Sequence, residues 1–349
     1  MPVEHFLIAE QTDLETWETP AHALRVANFS VDPGRERIDL RDTGSSRSLG
    51  GRVLGAKAPT AKLEMKAYAE KLGWLLKACG LPLVTTTTPG GATNARLHTF
   101  LPDDTLDPVA LSAQVQYGNS IGQNILGMVG DKLSFTAVAK EEVKLAIDFM
   151  ALDEAKCGGT WDFDGVTASE ALVSSPSYIS AGIRPLMFFD AVIVVGGIVA
   201  KDGTTKRLSI TGGTAQAKFE RFEFNLENGF DLPHFLGSSP TPGQADGQDR
   251  KVNGKFDVAQ STVTTTFYDE MRAGTKAALK ILLAGPIIES TIRRTVEIIF
   301  PSIDYDAAAF AGISGDQKRR TRSVEFTSVL ESVTNTEIGI ALIDTQTAY

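Results

Sequence analysis

Four histidines (His5, His22, His98, His234), two cysteines (Cys79, Cys157) and two short acidic pairs are the residues here whose types could do chemistry. The histidines are isolated, so the sequence offers neither the HExxH pair of a zinc protease nor a Cys/His zinc spacing. Asp162-Phe163-Asp164-Gly165 and Asp304-Tyr305-Asp306 set carboxylates at alternate positions, a spacing that suits a cation. The first lacks the downstream glutamate of a calcium loop and the second falls at a predicted strand end, so both read as turns or solvated faces. A glycosidase pair can join carboxylates far apart in a chain, but no residue marks one. There is no GxSxG elbow and no Walker A loop, and Gly312-Ile313-Ser314-Gly315 reads as a turn. Two cysteines cannot build a disulfide framework in a chain of 349 residues; they read as small buried hydrophobes, Cys79 on a helix. The expectation is a protein without a catalytic centre, metal or cofactor.

The elements around these residues repeat. Asn28–Gly34 (NFSVDPG) lies on Glu223–Gly229 (EFNLENG), matching Phe29 with Phe224, Val31 with Leu226, Asp32 with Glu227 and Gly34 with Gly229. Val53-Leu54-Gly55 follows in the first copy and Val252-Asn253-Gly254 in the second, then Ala67–Gly80 against Phe267–Lys280, with Tyr68 on Tyr268 and Glu70 on Glu270. Three anchors in one order point to a duplicated unit, with domains at residues 1–181 and 182–349. The length also exceeds what one core usually organises.

Most of each copy reads as strand. Leu24–Val31 and Ala217–Leu226 alternate, with Phe222, Phe224 and Leu226 on one face. Asn124–Ala139 reads as a hairpin pivoting on Gly130-Asp131, and Glu142–Asp153 alternates through Val143, Leu145, Ile147 and Phe149. Gly196–Gly213 holds an Asp202-Gly203 turn between two strands. Arg293–Asp306 and Arg319–Ser332 read as paired strands, and Ile338–Thr345 closes the sheet. The predicted helices are Lys62–Gly80 and about Thr266–Leu283. The fold class is mainly β (α+β): two tandem β-sandwiches or barrels, each with one flanking helix and a long loop.

Composition narrows the function. A 42% hydrophobic content fills ordinary cores, and the most apolar stretch, Leu186–Ala200, is broken by Asp190 and a Gly pair well short of a membrane helix. The start, MPVEHFLIAEQTDLETWE, is acidic and unlike a signal peptide, which fits folding in reducing cytosol. With 43 acidic against 34 basic residues the net charge is −9, the wrong sign for gripping nucleic acid. Lys318–Arg322 is the one basic cluster and reads as a solvated hairpin tip or a subunit salt-bridge site. Asp32–Arg52 and Glu227–Lys251 are long Gly/Ser/Pro-rich segments at matching places in the two copies, so docking on another subunit is their expected role. Their candidate contact residues are Arg35, Arg37, Asp39, Arg41, Asp246, Asp249 and Arg250.

The F-[SN]-[VL]-[DE] strand, the long loop, the VxG strand, the helix ending KLGWLLKACG, then HTFLPDD (His98–Asp104), GDKLSFTA and MFFDAVIVVGG together resemble the tail tube proteins of long non-contractile-tailed bacteriophages, in the form with two tandem tube domains. The resemblance covers nearly the whole chain. It implies a structural virion protein rather than an enzyme, assembled in the host cytoplasm into homotrimeric rings of pseudo-sixfold symmetry. Such rings stack around a tape-measure protein, meet tail terminator and distal tail proteins, and conduct DNA on ejection without binding it tightly or inserting in a membrane. A passing polyanion favours a repulsive wall, so the lumen is expected to be predominantly acidic. Asp148, Glu297 and Glu325 are its candidates, with Arg319–Arg322 away from the channel. The readings set against this one are a β-sandwich surface module (an adhesin or carbohydrate binder) and a hydrolase with a non-contiguous carboxylate pair.

Overall fold

The computed structural model describes residues 4–40, 51–103, 108–117, 121–157, 172–174, 176–179, 183–216, 219–234, 245, 247, 249–259, 263–308 and 321–349. The first half contributes Glu4–Glu10 (β1), His22–Leu24 (β2), Val26–Asp32 (β3), Arg35–Leu40 (β4), Gly51–Lys57 (β5), Thr60–Lys66 (β6), Leu83–Thr87 (β7), Arg96–Phe100 (β8), Leu111–Tyr117 (β9), Gly122–Val138 (β10), Lys144–Met150 (β11) and Asp153–Cys157 (β12), with helix Leu72–Ala78 (α1). The second contributes Ala191–Val195 (β13), Ile198–Lys201 (β14), Leu208–Thr211 (β15), Thr214–Gln216 (β16), Phe219–Glu227 (β17), Lys251–Ala259 (β18), Ala277–Glu289 (β19), Ile292–Ala307 (β20), Thr321–Ser328 (β21) and Gly339–Asp344 (β22), with helix Val263–Ala273 (α2). The chain is mainly β.

Strand pairing follows one scheme in both halves. In the first, β2–β1–β9–β10–β12 form one sheet and β3–β6–β11–β10 the other. In the second, β16–β13–β19–β20–β22 and β17–β18–β21–β20 follow the same order. Both β10 and β20 are long strands that bend at bulges and belong to two sheets, which closes each sandwich at one corner. Phe29 faces Leu63 on β6 as Phe224 faces Gly254 on β18. Next along, Leu63 faces Ile147 and Gly254 faces Phe326. A Cβ at Gly254 would stand 2.3 Å from the Phe326 ring, so a glycine–phenylalanine pair in one half fills the space of leucine–isoleucine in the other.

The halves are also joined. Strand β10 pairs with β17, register Lys132 to Glu227 through Val138 to Arg221, which fuses two four-stranded sheets into one of eight: β3–β6–β11–β10–β17–β18–β21–β20. The β7–β8 hairpin of the first half extends the other sheet of the second through β8–β22. One continuous apolar core runs through both halves, with the Phe135 and Phe224 rings 5.6 Å apart across the seam. The expected boundary at 181/182 lies outside the described residues.

Several local expectations change. Asn124–Ala139 is one bent strand rather than a hairpin: the bulge at Gly130/Lys132 carries β10 from one sheet to the other. Residues 60–66 are strand, not helix, because Ala61, Leu63 and Met65 point into the core and Thr60, Lys62, Glu64 and Lys66 out. Helix α2 ends at Ala273, short of the expected Leu283, and β19 begins at Ala277. Val53-Leu54-Gly55 is not the counterpart of Val252-Asn253-Gly254, since it lies on a separate hairpin, β4–β5, and β6 takes the equivalent place. Tyr268 sits inside α2 whereas Tyr68 precedes α1, so those two also fail to align.

Candidate functional site

Burial first sorts the polar groups. His98 lies between Thr86 (Nδ1 to Oγ1, 3.0 Å) and Asp344 (Nε2 to Oδ1, 3.4 Å), an arrangement that resembles a catalytic triad. His98 and Asp344 are fully buried, and the Tyr349 hydroxyl donates to Asp344 while its ring packs edge-on against His98 and Trp74. The backbone N–H of Lys71 donates to the same hydroxyl at 3.0 Å. Here polar groups lock the end of the second half onto helix α1, with no room for substrate. The separation of 246 residues between His98 and Asp344 hid this cluster from the sequence. Lys71 is almost fully buried, its ammonium donates to Ser177, and burial lowers its pKa to about 8. Among the described residues no three His, Cys, Asp or Glu side chains gather as a metal site. Cys79 and Cys157 are buried and form no disulfide with each other, and burial pushes the Cys79 thiol up. Asp304 is half-buried and Asp306 accepts from Thr327 Oγ1 at 2.6 Å; Asp162 and Asp164 lie outside the described residues.

Three features remain that a neighbouring molecule can use. The first is the pair of edges of the eight-stranded sheet. Beyond β3, and beyond residues 304–307 of β20, no further strand of the described residues is paired, the rest of β20 being flanked by β19 and β22; Val26, Phe29 and Val31 are only partly covered. Unpaired edges of this length template further pairing.

The second is the β4–β5 hairpin. It pairs with no other strand among the described residues and is exposed along most of its length, including Ile38, Val53 and Leu54. Its base is fixed: Gly34 turns out of the long sheet at φ 57, and Lys57 Nζ meets Asp153 Oδ1 at 2.6 Å in buried surroundings. Gly229 turns out of the second half in the same way, at φ 59. A lone two-stranded hairpin is marginal in water, so this one calls for a partner surface.

The third is the solvent face of the eight-stranded sheet. Lys62, Asp148, Lys132, Glu227 and Lys251 stand side by side on five strands, alternating in sign. Asn28, Glu64, Ala146, Ser134, Asn225, Asn253, Thr327 and Asp304 form a mostly neutral row across all eight, with Ser134 donating to Asn225 at 2.7 Å. Lys66, Lys144, Thr136, Glu223, Lys255 and Glu325 make another charged row. Glu227 meets Lys132, and Glu223 meets Arg221.

The expected residues fall as follows. Asp148 and Glu325 lie on this face, each near a lysine, Lys62 at 3.3 Å and Lys255 at 3.6 Å. Glu297 does not face outward: it is 4% exposed on the part of β20 in the other sheet, held by Arg207 at 2.6 Å and Lys280 at 3.5 Å. Arg35, Arg37 and Asp39 are exposed on the hairpin, where Asp39 meets Arg52 at 2.8 Å. Asp249 is exposed, but Arg250 is drawn inward to Glu337 at 3.0 Å. Arg322, expected in a basic subunit contact, is buried over the Tyr268 ring instead. Arg41, Asp246 and Lys318–Arg320 lie outside the described residues.

Strand edges, a projecting hairpin and a polar sheet face are what the described residues offer to a neighbouring molecule, as suits a structural protein. A family model described as phage tail tube protein matches residues 4–328, and the chain belongs to that family. It is therefore a structural subunit of a phage tail tube, a component of the virion tail. A search of curated proteins returns no match.

Proposed function

We propose that three copies of this chain close into a ring of pseudo-sixfold symmetry, each supplying two tail-tube domains, and that stacked rings form a tube through which DNA passes on ejection. The observation that carries this is the eight-stranded sheet with its two free edges. Because β20 corresponds to β10 and β3 to β17, the seam inside the chain is a template for β20 of one copy meeting β3 of the next. Such a head-to-tail contact closes into a ring when the rotation fits. Three chains of eight strands give twenty-four. At ~4.8 Å per strand that is a perimeter of roughly 115 Å and a width of roughly 37 Å between backbones, before tilt widens it.

On this reading the face bearing Asp148 and Glu325 lines the channel. The rows named above, with Arg221, carry seven basic groups and six carboxylates, so the wall is close to neutral rather than acidic and largely self-paired; phosphates passing over it meet lysines already engaged by carboxylates. Exposed pairs of this kind are each weak, about 0–1 kcal/mol, but a repeating array removes the unpaired basic charge that would retain DNA. The tape-measure protein would occupy the same channel before ejection. Tail terminator and distal tail proteins would cap the stack, with assembly in the host cytoplasm. Electron microscopy of purified chain tests the reading: rings or tubes are expected, and a dispersed monomer at high concentration would refute it.

A further inference from the structure

The two halves differ in what covers one end of each sandwich. In the first half that end carries Leu14, Ala110, Val129 and Leu152, and residues from the long segment after β17 cover it: Phe230, Leu232 and Ala245 pack there, and His234 Nε2 meets the Lys57 carbonyl at 3.0 Å. Leu152 is thereby 2% exposed. At the corresponding end of the second half three apolar side chains stay exposed. Ile198 just after β13, and Leu330 and Val333 just after β21, are 78%, 63% and 80% exposed. Leu330 follows β21 as Leu152 follows β11. The turn that holds it is firmly built, since Glu331 accepts from the Val333 and Thr334 backbone at 2.9 and 2.7 Å, and Lys201 of β14 reaches the Thr334 carbonyl at 3.4 Å.

We infer that the β4–β5 hairpin of one chain covers this end of the second half of the neighbouring chain, setting Ile38, Val53 and Leu54 against Ile198, Leu330 and Val333. The inference rests on the ring reading above. The segment after β17 covers the half with which β17 pairs; β4–β5 leaves β3 at the equivalent point, through the equivalent left-handed glycine, so it should cover the half with which β3 pairs. The contact is thus continuous with the ring seam. Both apolar sets are exposed in the single chain, as two halves of an unmade interface are.

Cysteine cross-linking of the full chain tests this, because Cys79 and Cys157 are buried. Leu54→Cys with Val333→Cys, assembled and then oxidised, should give a ladder of linked chains that Leu54→Cys alone does not. Hydrogen exchange of the unmodified protein, as monomer and as assembly, should show new protection at residues 329–335 and in β4–β5 together. Assemblies that gain no protection at 329–335, or that link Leu54→Cys to Ile121→Cys at the opposite end of a stacked ring, overturn the docking and leave the tube reading standing. Chains that form no rings overturn both.

Discussion

The seam between β10 and β17 and the free edges of β3 and β20 are strand edges of one sheet with opposite fates. At the seam seven residue pairs are in register, and Leu133 with Leu226, Phe135 with Phe224 and Ala137 with Phe222 bury their side chains on the core face. At the free edges Phe29 and Val31 are half-covered, and β20 ends in a bulge at Tyr305/Ala307 flanked by Asp304 and Asp306. Acidic residues and a bulge discourage indiscriminate pairing at an edge. On the proposed ring, placing two halves in one chain would make one of every two ring contacts intramolecular, where effective concentration is high and register is fixed by folding. The other contact is left to assembly.

Breaking the seam should have the largest effect. Asn225→Pro lies between paired strands on both sides and should cost on the order of 3 kcal/mol or more, seen as a collapsed melting temperature. Ser30→Pro on the edge strand should leave most of the monomer's melt in place and abolish rings. Equal destabilisation by both would erase the distinction between seam and edge. Next is the cross-half lock. Tyr349→Ala empties a buried ring site against Trp74, His98 and Phe100 and should cost about 3 kcal/mol in denaturant unfolding, with the transition broadening as the halves uncouple.

Smaller effects sharpen the contrast between a paired face and an unpaired one. Glu223→Gln with Glu227→Gln releases Arg221 and Lys132 from their partners and should hardly change stability. It should give the assembled tube several-fold more DNA retention at low salt, lost as salt rises. Unchanged retention would mean that pairing on this face does not govern the wall. The smallest effect is a pH dependence at the lock. Lys71 has its pKa lowered to about 8 by burial, so between pH 8 and the ordinary lysine range the unfolded chain holds a proton that the folded chain has shed. Its contribution should therefore rise with pH across that window and sit at its full penalty below pH 8. A denaturation series with Lys71→Met should lose that rise.

The alternating strands were legible in the sequence because one face of each is buried: Leu145, Ile147 and Phe149, or Phe222, Phe224 and Leu226, carry the period directly. Phe29 and Phe224 also mark equivalent positions. The remaining anchors misled because Val53-Leu54-Gly55 falls on the β4–β5 hairpin rather than on the strand after it, and because the core swaps leucine–isoleucine for glycine–phenylalanine, which conserves volume while removing similarity. The bend in β10 resembled a turn, since Gly130-Asp131 serves a bulge as readily as a hairpin. The buried place of Glu297 was hidden for a further reason: β20 changes sheets partway, so alternation along it reports two different faces. Nothing local in the sequence marks His98–Asp344–Tyr349, whose members meet only in the folded chain.

The central claim is that the seam inside the chain is repeated between chains. A cryo-electron-microscopy reconstruction of the assembled tube tests it most directly. The expected result is three chains per ring, a continuous twenty-four-stranded inner wall, and β3 of each chain paired with β20 of the next. Six chains per ring, or a wall in which β3 faces solvent, would contradict it.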